Sequence, residues 1–257
     1  KAEAARRGRL RGLGSCYYIE AILGDATEGA EIAFNGDGTV SLYVGTQSNG
    51  QGHETVYAQF LSDTTGIPVE AIRIVQGDSD LIAKGGGTGG SRSVTVQTSA
   101  TLAAVDVMVA ALAPFVADRL GVDEAQFDDG AFRAPGSNLV MTVVEAAEAA
   151  RAAGREDLLR HKAEMTLPGR SYPNGAHIAE VEIDPDTGEE QVVGYTGTDE
   201  FGNLMHPQLA EGQVHGGVAQ GLGQAVTEHV IFDDQGQLLT ASFMDYAMPR
   251  AEDIPMI

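Results

Sequence analysis

Gly45-Thr46-Gln47-Ser48-Asn49-Gly50-Gln51-Gly52-His53-Glu54-Thr55 is followed at once by residues 56–65, a run patterned as a helix. Its glycines and polar side chains therefore stand at a helix start. There the first N–H groups have no partner inside the helix, and the positive end of the helix dipole favours an anion. Two further glycine clusters read the same way, each running into a helical pattern: Gly85-Gly86-Gly87-Thr88-Gly89-Gly90-Ser91-Arg92-Ser93 and Glu211-Gly212-Gln213-Val214-His215-Gly216-Gly217. Three glycine-rich helix starts in one chain point to a large phosphate-bearing ligand held from several sides.

The helix over 53–65 ends at Gly66, with Pro68 just beyond. Before it, residues 31–34 and 39–45 alternate as the arms of a hairpin about Asn35-Gly36-Asp37-Gly38, and an extended stretch covers 12–21. After it come a short strand at 71–75, a turn at 77–80, and a long helix from Ser93 to about Leu120, ended by Gly121. Small residues such as Ala100, Ala104 and Ala111 predict that this helix packs closely on a sheet. Residues 122–142 read as short strands and turns, and 143–153 as a helix ended by Gly154. The stretch 155–172 is charged, contains Pro168 and shows little periodicity, so a boundary between halves is expected there. The pattern then restarts. Residues 176–183 and 190–197 flank Asp184-Pro185-Asp186-Thr187-Gly188, a loop leads to the third glycine cluster, a helix is expected over 216–228, and a hairpin over 230–240 closes the chain.

Both halves show hairpin, loop, Gly-Gln-x-His and helix in the same order, with Gly50-Gln51-Gly52-His53 in one and Gly212-Gln213-Val214-His215 in the other. A diverged duplication would place two glutamines on one ligand from two sides; a chance match of four residues is the open rival.

The chain has 257 residues, 33 of them glycine, and its 37 acidic against 16 basic residues give a formal charge of −21. That balance disfavours tracking along a nucleic-acid backbone, which needs clustered Lys and Arg. Positive charge is local: Lys84 and Arg92 bracket the second glycine cluster, and Arg6, Arg7, Arg9 and Arg11 crowd the amino end. A single cysteine, Cys16, excludes an internal disulfide and a thiolate metal site, which fits a reducing cytoplasm. The most apolar stretch, 102–117, is interrupted by Asp106 and Pro114 and reads as too short to span a bilayer. Because the first residue is Lys, the chain reads as a piece of something longer.

Gln51 and Gln213 each offer an amide that donates and accepts, suited to a heterocycle edge or a phosphate oxygen, although each would equally serve as a helix cap. His53 stands where a ring nitrogen reaches the same ligand. Thr88, Gly90, Ser91, Arg92 and Ser93 combine hydroxyls, backbone N–H groups and a guanidinium, the inventory of a diphosphate cradle. The cluster lacks both the Gly-Lys-Ser/Thr ending of a P-loop and the Gly-x-Gly-x-x-Gly turn. His161, His177, His206 and His229 show no metal spacing and read as structural or surface residues, and turn aspartates such as Asp37, Asp78 and Asp80 ordinarily bond their own backbone.

Gly50-Gln51-Gly52-His53-Glu54-Thr55, Gly77-Asp78 and Gly87-Thr88-Gly89-Gly90-Ser91-Arg92-Ser93 closely resemble the molybdenum-binding large subunit of the xanthine dehydrogenase and aldehyde oxidase family. The Gly-Ser-Arg-Ser form is most similar to the bacterial branch with aerobic carbon monoxide dehydrogenase. Glu211-Gly212-Gln213-Val214-His215-Gly216-Gly217 and Ser242-Phe243-Met244-Asp245-Tyr246 agree, so the resemblance covers essentially the whole chain.

The resemblance implies an α+β chain of two mixed repeats, 1–165 and 166–257, forming one molybdopterin-binding lobe. The cofactor expected from this branch is molybdopterin in its cytosine dinucleotide form, carrying molybdenum. Gln51, Gly52 and His53 would lie at the pterin and phosphate end, Thr88, Gly90, Ser91, Arg92 and Ser93 along the diphosphate and nucleotide, and Gln213 on the pterin. The implied reaction is oxidative hydroxylation of a small substrate with water as oxygen source, or oxidation of carbon monoxide. Electrons would leave through iron–sulfur and FAD partners, and the subunit's amino-terminal lobe would complete the site. The family's catalytic glutamate lies beyond the point corresponding to Ile257, so no catalytic residue is assigned and the chain alone is expected to be inactive. A free-standing nucleotide-binding module without redox activity is the alternative from another class.

Overall fold

Residues 1–22 and 24–257 are described by a computed structural model whose elements, in chain order, are α1 (Ala2–Arg6), β1 (Leu10–Ile19), β2 (Thr27–Phe34), β3 (Val40–Val44), α2 (His53–Thr65), β4 (Ile72–Val75), α3 (Ser93–Leu120), β5 (Gln126–Asp128), β6 (Ala131–Arg133), β7 (Val140–Thr142), α4 (Val143–Ala152), β8 (Arg160–Thr166), β9 (Asn174–Ile183), β10 (Glu190–Glu200) and α5 (Pro207–Leu222). Helices and sheets are mixed, as the expected α+β class requires. Two compact units divide the chain: residues 22–171, and a discontinuous unit of residues 1–21 with 172–257. The division does not follow a linear cut at 165/166, because β1 pairs antiparallel with β9 along its whole length, from Leu10 opposite Ile183 to Ile19 opposite Asn174.

In the 22–171 unit a four-stranded sheet runs β4-β3-β2-β8. The hairpin β2–β3 closes at Asn35-Gly36-Asp37-Gly38, where Asn35 N donates to Thr39 O at 2.8 Å and Gly38 adopts φ 82°. β3 and β4 are parallel, and the crossover between them is α2. Gly66 and Gly121 end α2 and α3 in the left-handed conformation, at φ 70° in each case. Val96, Ala100, Ala104, Met108, Leu112 and Val116 form the buried stripe of α3, which packs on β2 and β8. By length and composition this 28-residue helix, longer than the 102–117 stretch within it, is apolar enough to cross a membrane. Its stripe is instead part of the unit's core.

One strand was hidden in the charged stretch 155–172. β8 pairs antiparallel with β2. Its outward residues are Arg160, Lys162 and Glu164; Arg160 pairs with Glu31, and Lys84 with Glu164 at 2.8 Å. Charge on the exposed face of an edge strand is a common protection against further pairing, and it masked the alternation. Inward, His161 is buried with Nε2 at 2.9 Å from Leu158 O.

The discontinuous unit holds a three-stranded antiparallel sheet, β1-β9-β10. The basic amino end is neutralised there: Arg7 and Arg11 bond Glu182 at 2.6 and 2.7 Å, Arg11 also bonds Glu180, and Arg9 lies 3.1 Å from Asp184. The expected helix over 216–228 is corrected. α5 begins at Pro207, with His206 Nδ1 accepting from Leu209 N at 3.3 Å, and a π-helical turn over Gly223–Thr227 follows it. A proline at the first helical position and a side-chain cap before it start the helix earlier than the glycines do. The third glycine cluster is therefore helix interior, and the matching order of the two halves fails at this point. The closing hairpin is reduced to the bridge Phe232–Leu238.

Candidate functional site

The first two glycine clusters lie in the 22–171 unit and meet backbone to backbone. Gly87 N donates to Gly45 O at 3.3 Å, and the Thr88 hydroxyl donates to Gln47 O at 2.5 Å. A Cβ on Gly45 would stand 2.7 Å from Gly85 Cα, and one on Gly85 would stand 2.6 Å from Gly45 O. No side chain larger than hydrogen fits this crossing. From it the chain enters α2 on one side and α3 on the other.

Both helices start without a side-chain cap. Gly52, left-handed at φ 83° and ψ 30°, precedes α2, and Arg92 precedes α3 with no side-chain bond to the first turn. Elsewhere in the same unit α4 carries a full capping box, with Thr142 Oγ1 accepting from Glu145 N at 3.2 Å and Glu145 accepting from Thr142 N at 2.8 Å. Uncapped starts leave backbone donors for another acceptor. Just before α3, Gly90 at φ 63° and Ser91 at φ 59° give way to Arg92 at φ −84°; successive left- and right-handed residues form the concave backbone nest that binds anions. A serine held left-handed costs roughly 1–2 kcal/mol, which marks the position as constrained by its surroundings.

The side chains divide by direction. Gln51 Oε1 accepts from Asn49 N at 2.5 Å within its own loop, so it caps no helix. His53 is buried, its ring centroid 5.0 Å from that of Tyr57, and its Nδ1 has no hydrogen-bond partner among the described residues. Burial holds its pKa below the ordinary histidine value, which favours the neutral ring, and leaves Nδ1 enclosed without a partner. Ser93 Oγ lies 3.1 Å from Thr88 Oγ1, joining the two ends of the second cluster.

Arg92 departs most from the sequence-based expectation. Its guanidinium is buried and donates to Asp25 O at 2.7 Å, Gly87 O at 2.6 Å, Thr27 O at 3.0 Å and Glu28 Oε2 at 3.0 Å. Its charge is spent inside the protein, and any anion here meets backbone N–H groups and helix dipoles instead. Gln213 is exposed on α5, in the other unit and inside a helix.

Sequence reasoning missed Gln97 and Glu28. Gln97 Oε1 accepts from Gly45 N at 3.1 Å, Thr46 N at 3.3 Å and Thr46 Oγ1 at 3.1 Å, while its Nε2 donates to Gly29 O at 3.0 Å. Its signal was a polar residue in the apolar stripe of α3, one position after Val96. Glu28 shares the inward register of β2 with Ala30 and Ile32, where a carboxylate is out of pattern.

The chain is similar to known proteins over almost its whole length. The family model for the molybdopterin cofactor-binding domain matches residues 1–255. The carbon monoxide dehydrogenase large chain of Afipia carboxidovorans is 34% identical over 275 residues, covering 99% of this chain and 34% of that protein. The nicotine 6-hydroxylase large subunit of Paenarthrobacter nicotinovorans is 30% identical, covering 98% of this chain and 34% of its own length. The chain thus spans about a third of these relatives. A crystal structure of a Cu,Mo-CO dehydrogenase superposes with a TM-score of 0.88 at 32% identity over 99% of this chain and 35% of that one. Quinoline 2-oxidoreductase from Pseudomonas putida 86 does so with 0.84 at 30% identity, over 99% and 35%. A molybdopterin group fits what the residues present: glycine-led, uncapped helix starts, a backbone nest, and a buried neutral imidazole nitrogen without a partner. On the family match and this geometry together, the chain belongs to the molybdopterin cofactor-binding domain family.

Proposed function

We propose that this chain is the cofactor-holding portion of a cytoplasmic molybdenum hydroxylase large subunit, and that the cofactor is the cytosine dinucleotide form of molybdopterin. The observation that carries the reading is the crossing of the two glycine loops, which brings two uncapped helix starts together in one unit. The N–H groups at Gly52 and His53 and those of the 89–93 turn are donors for the diphosphate and nucleotide. Thr88 and Ser93 keep that turn closed on itself, and Arg92 fixes it from behind. His53 Nδ1 would accept a hydrogen bond from the pterin side, a role open only to a neutral ring. Gln51 is a further amide contact for the heterocycle.

The cofactor supplies the two-electron redox chemistry when bound, and the chain's own residues bind and orient it. For the whole protein this reading implies oxidation of a small substrate, by hydroxylation with oxygen from water or as carbon monoxide oxidation. It also implies iron–sulfur and FAD partners and an amino-terminal lobe of the same subunit. The complete gene product, purified and hydrolysed in acid, should release molybdenum, pterin and cytidine monophosphate in equal amounts. A metal-free, pterin-free product that binds a common nucleotide tightly would overturn the reading, and release of no cytidine nucleotide would overturn the dinucleotide form. The 257 residues alone should turn nothing over and bind cofactor weakly; nanomolar uptake in a calorimetric titration would contradict that.

A further inference from the structure

Beneath the loop crossing lies a carboxylate that no contact with an outside ligand requires. Glu28, on β2, is 1% exposed. Its Oε2 accepts from Gly86 N at 2.9 Å and from Arg92 Nη2 at 3.0 Å, so one oxygen grips the start of the second loop and the residue that ends it. Its Oε1 accepts from Gly29 N at 3.1 Å and lies against the first loop: a Cβ on Gly45 would be 2.2 Å from it. A Cβ on Gly86 would be 2.6 Å from the Arg92 guanidinium, so the second loop is equally tight against the pair.

We propose that Glu28 is the positioning residue of the cofactor cradle, setting the separation and orientation of both glycine loops through Gly86, Arg92 and Gly45. The proposal rests on the cofactor reading above. Three features require a carboxylate. It must face two donors with one oxygen, a geometry an ion accepts at short distance. It must balance a buried guanidinium, which otherwise retains carbonyl partners but no opposite charge. Finally, by neutralising Arg92 it removes the one side-chain charge at the start of α3, leaving anion recognition to backbone groups of fixed direction. Glu28 touches no ligand in this scheme and acts through the loops.

The test uses the complete gene product and its Glu28→Gln variant, which keeps side-chain size and removes the charge. Molybdenum and pterin retained per chain after gel filtration, and the rate of cofactor release at a temperature where both proteins are folded, are the readouts. The variant should release cofactor at least tenfold faster, and amide exchange should quicken in 45–52 and 84–92 while α4 and β5–β7 are unchanged. A variant that melts earlier but releases cofactor at the wild-type rate would overturn the proposal and leave the cofactor reading intact; a wild-type protein that carries no cofactor would overturn both. If the variant does not fold, the wild-type protein decides. Its Gly86 amide should exchange at least tenfold more slowly than the exposed loop amide of Gly136, and equal rates would overturn the proposal.

Discussion

The 22–171 unit and the discontinuous unit are built on different terms. Nearly all buried apolar side chains among the described residues belong to the first, from Ile32 and Leu42 on the sheet to Met108 and Leu112 on α3; in the second, among the described residues, only Ala4 and Val218 reach that state. The second unit instead shows apolar side chains outward, among them Leu13, Tyr17 and Ile19 on β1 and Phe243 and Met244 near its end, with Met244 95% exposed. Its order comes from a sheet ladder, from the arginine–glutamate pairs of β1 and β9, and from a side-chain chain in which Tyr18 and His177 both bond Asp199, at 2.8 and 2.9 Å. The contrast teaches where rigidity is available. The crossing of the glycine loops, which demands fixed backbone, stands on the densely packed unit.

The largest test of this contrast is Arg92→Met. Removing one member of a buried pair strands the other, so the 257-residue chain should lose about 3–5 kcal/mol in denaturant unfolding followed by circular dichroism. A loss below about 1 kcal/mol would show that the guanidinium is not the anchor its bonds imply. Next, Leu112→Ala should lose about 2–5 kcal/mol through lost burial and a residual cavity. Ile178→Ala, on a half-open face of β9, should stay within about 0.5 kcal/mol, and equal effects would erase the distinction between the units. Thr142→Ala removes the capping box of α4 and should cost about 1 kcal/mol, while binding of pyrophosphate by the chain is unaltered.

The smallest expected effect concerns acid. Burial lowers the pKa of His53 and of His161, both in the 22–171 unit. The unfolded chain therefore takes up protons first, so stability from these neutral rings is full above the unfolded value of about 6.5 and declines as pH falls below it. Amide protection in α2 and β8, measured relative to the intrinsic exchange rate at each pH, should fall between about pH 6.5 and 5. Exchange independent of pH-induced opening over that range would mean that these rings titrate as exposed ones do.

Much of the local architecture was legible. Gly66 and Gly121 end their helices where expected, and Asn35-Gly36-Asp37-Gly38 turns the hairpin, because each is decided by the conformational preference of a few adjacent residues. The first two loops were legible as glycine-led helix starts for the same reason. Three readings failed where charge or glycine carried two meanings. Arg160, Lys162 and Glu164 looked like linker and form the outer face of a strand; Gly212, read as the approach to a helix starting at Gly216, lies inside α5, which starts at Pro207; and Arg92 looked like a phosphate ligand and is buried against Glu28.

By itself the sequence determined the element types, the loop crossing's glycine content and the family likeness, all of which depend on neighbours along the chain. Only the tertiary structure decided that β1 joins β9 from the far end of the polymer, that Gln97 and Glu28 lie behind the loops, and that Gly45 and Gly85 touch. Those contacts join residues distant in sequence. Their existence depends on which faces the packed core leaves adjacent, and no local preference encodes that.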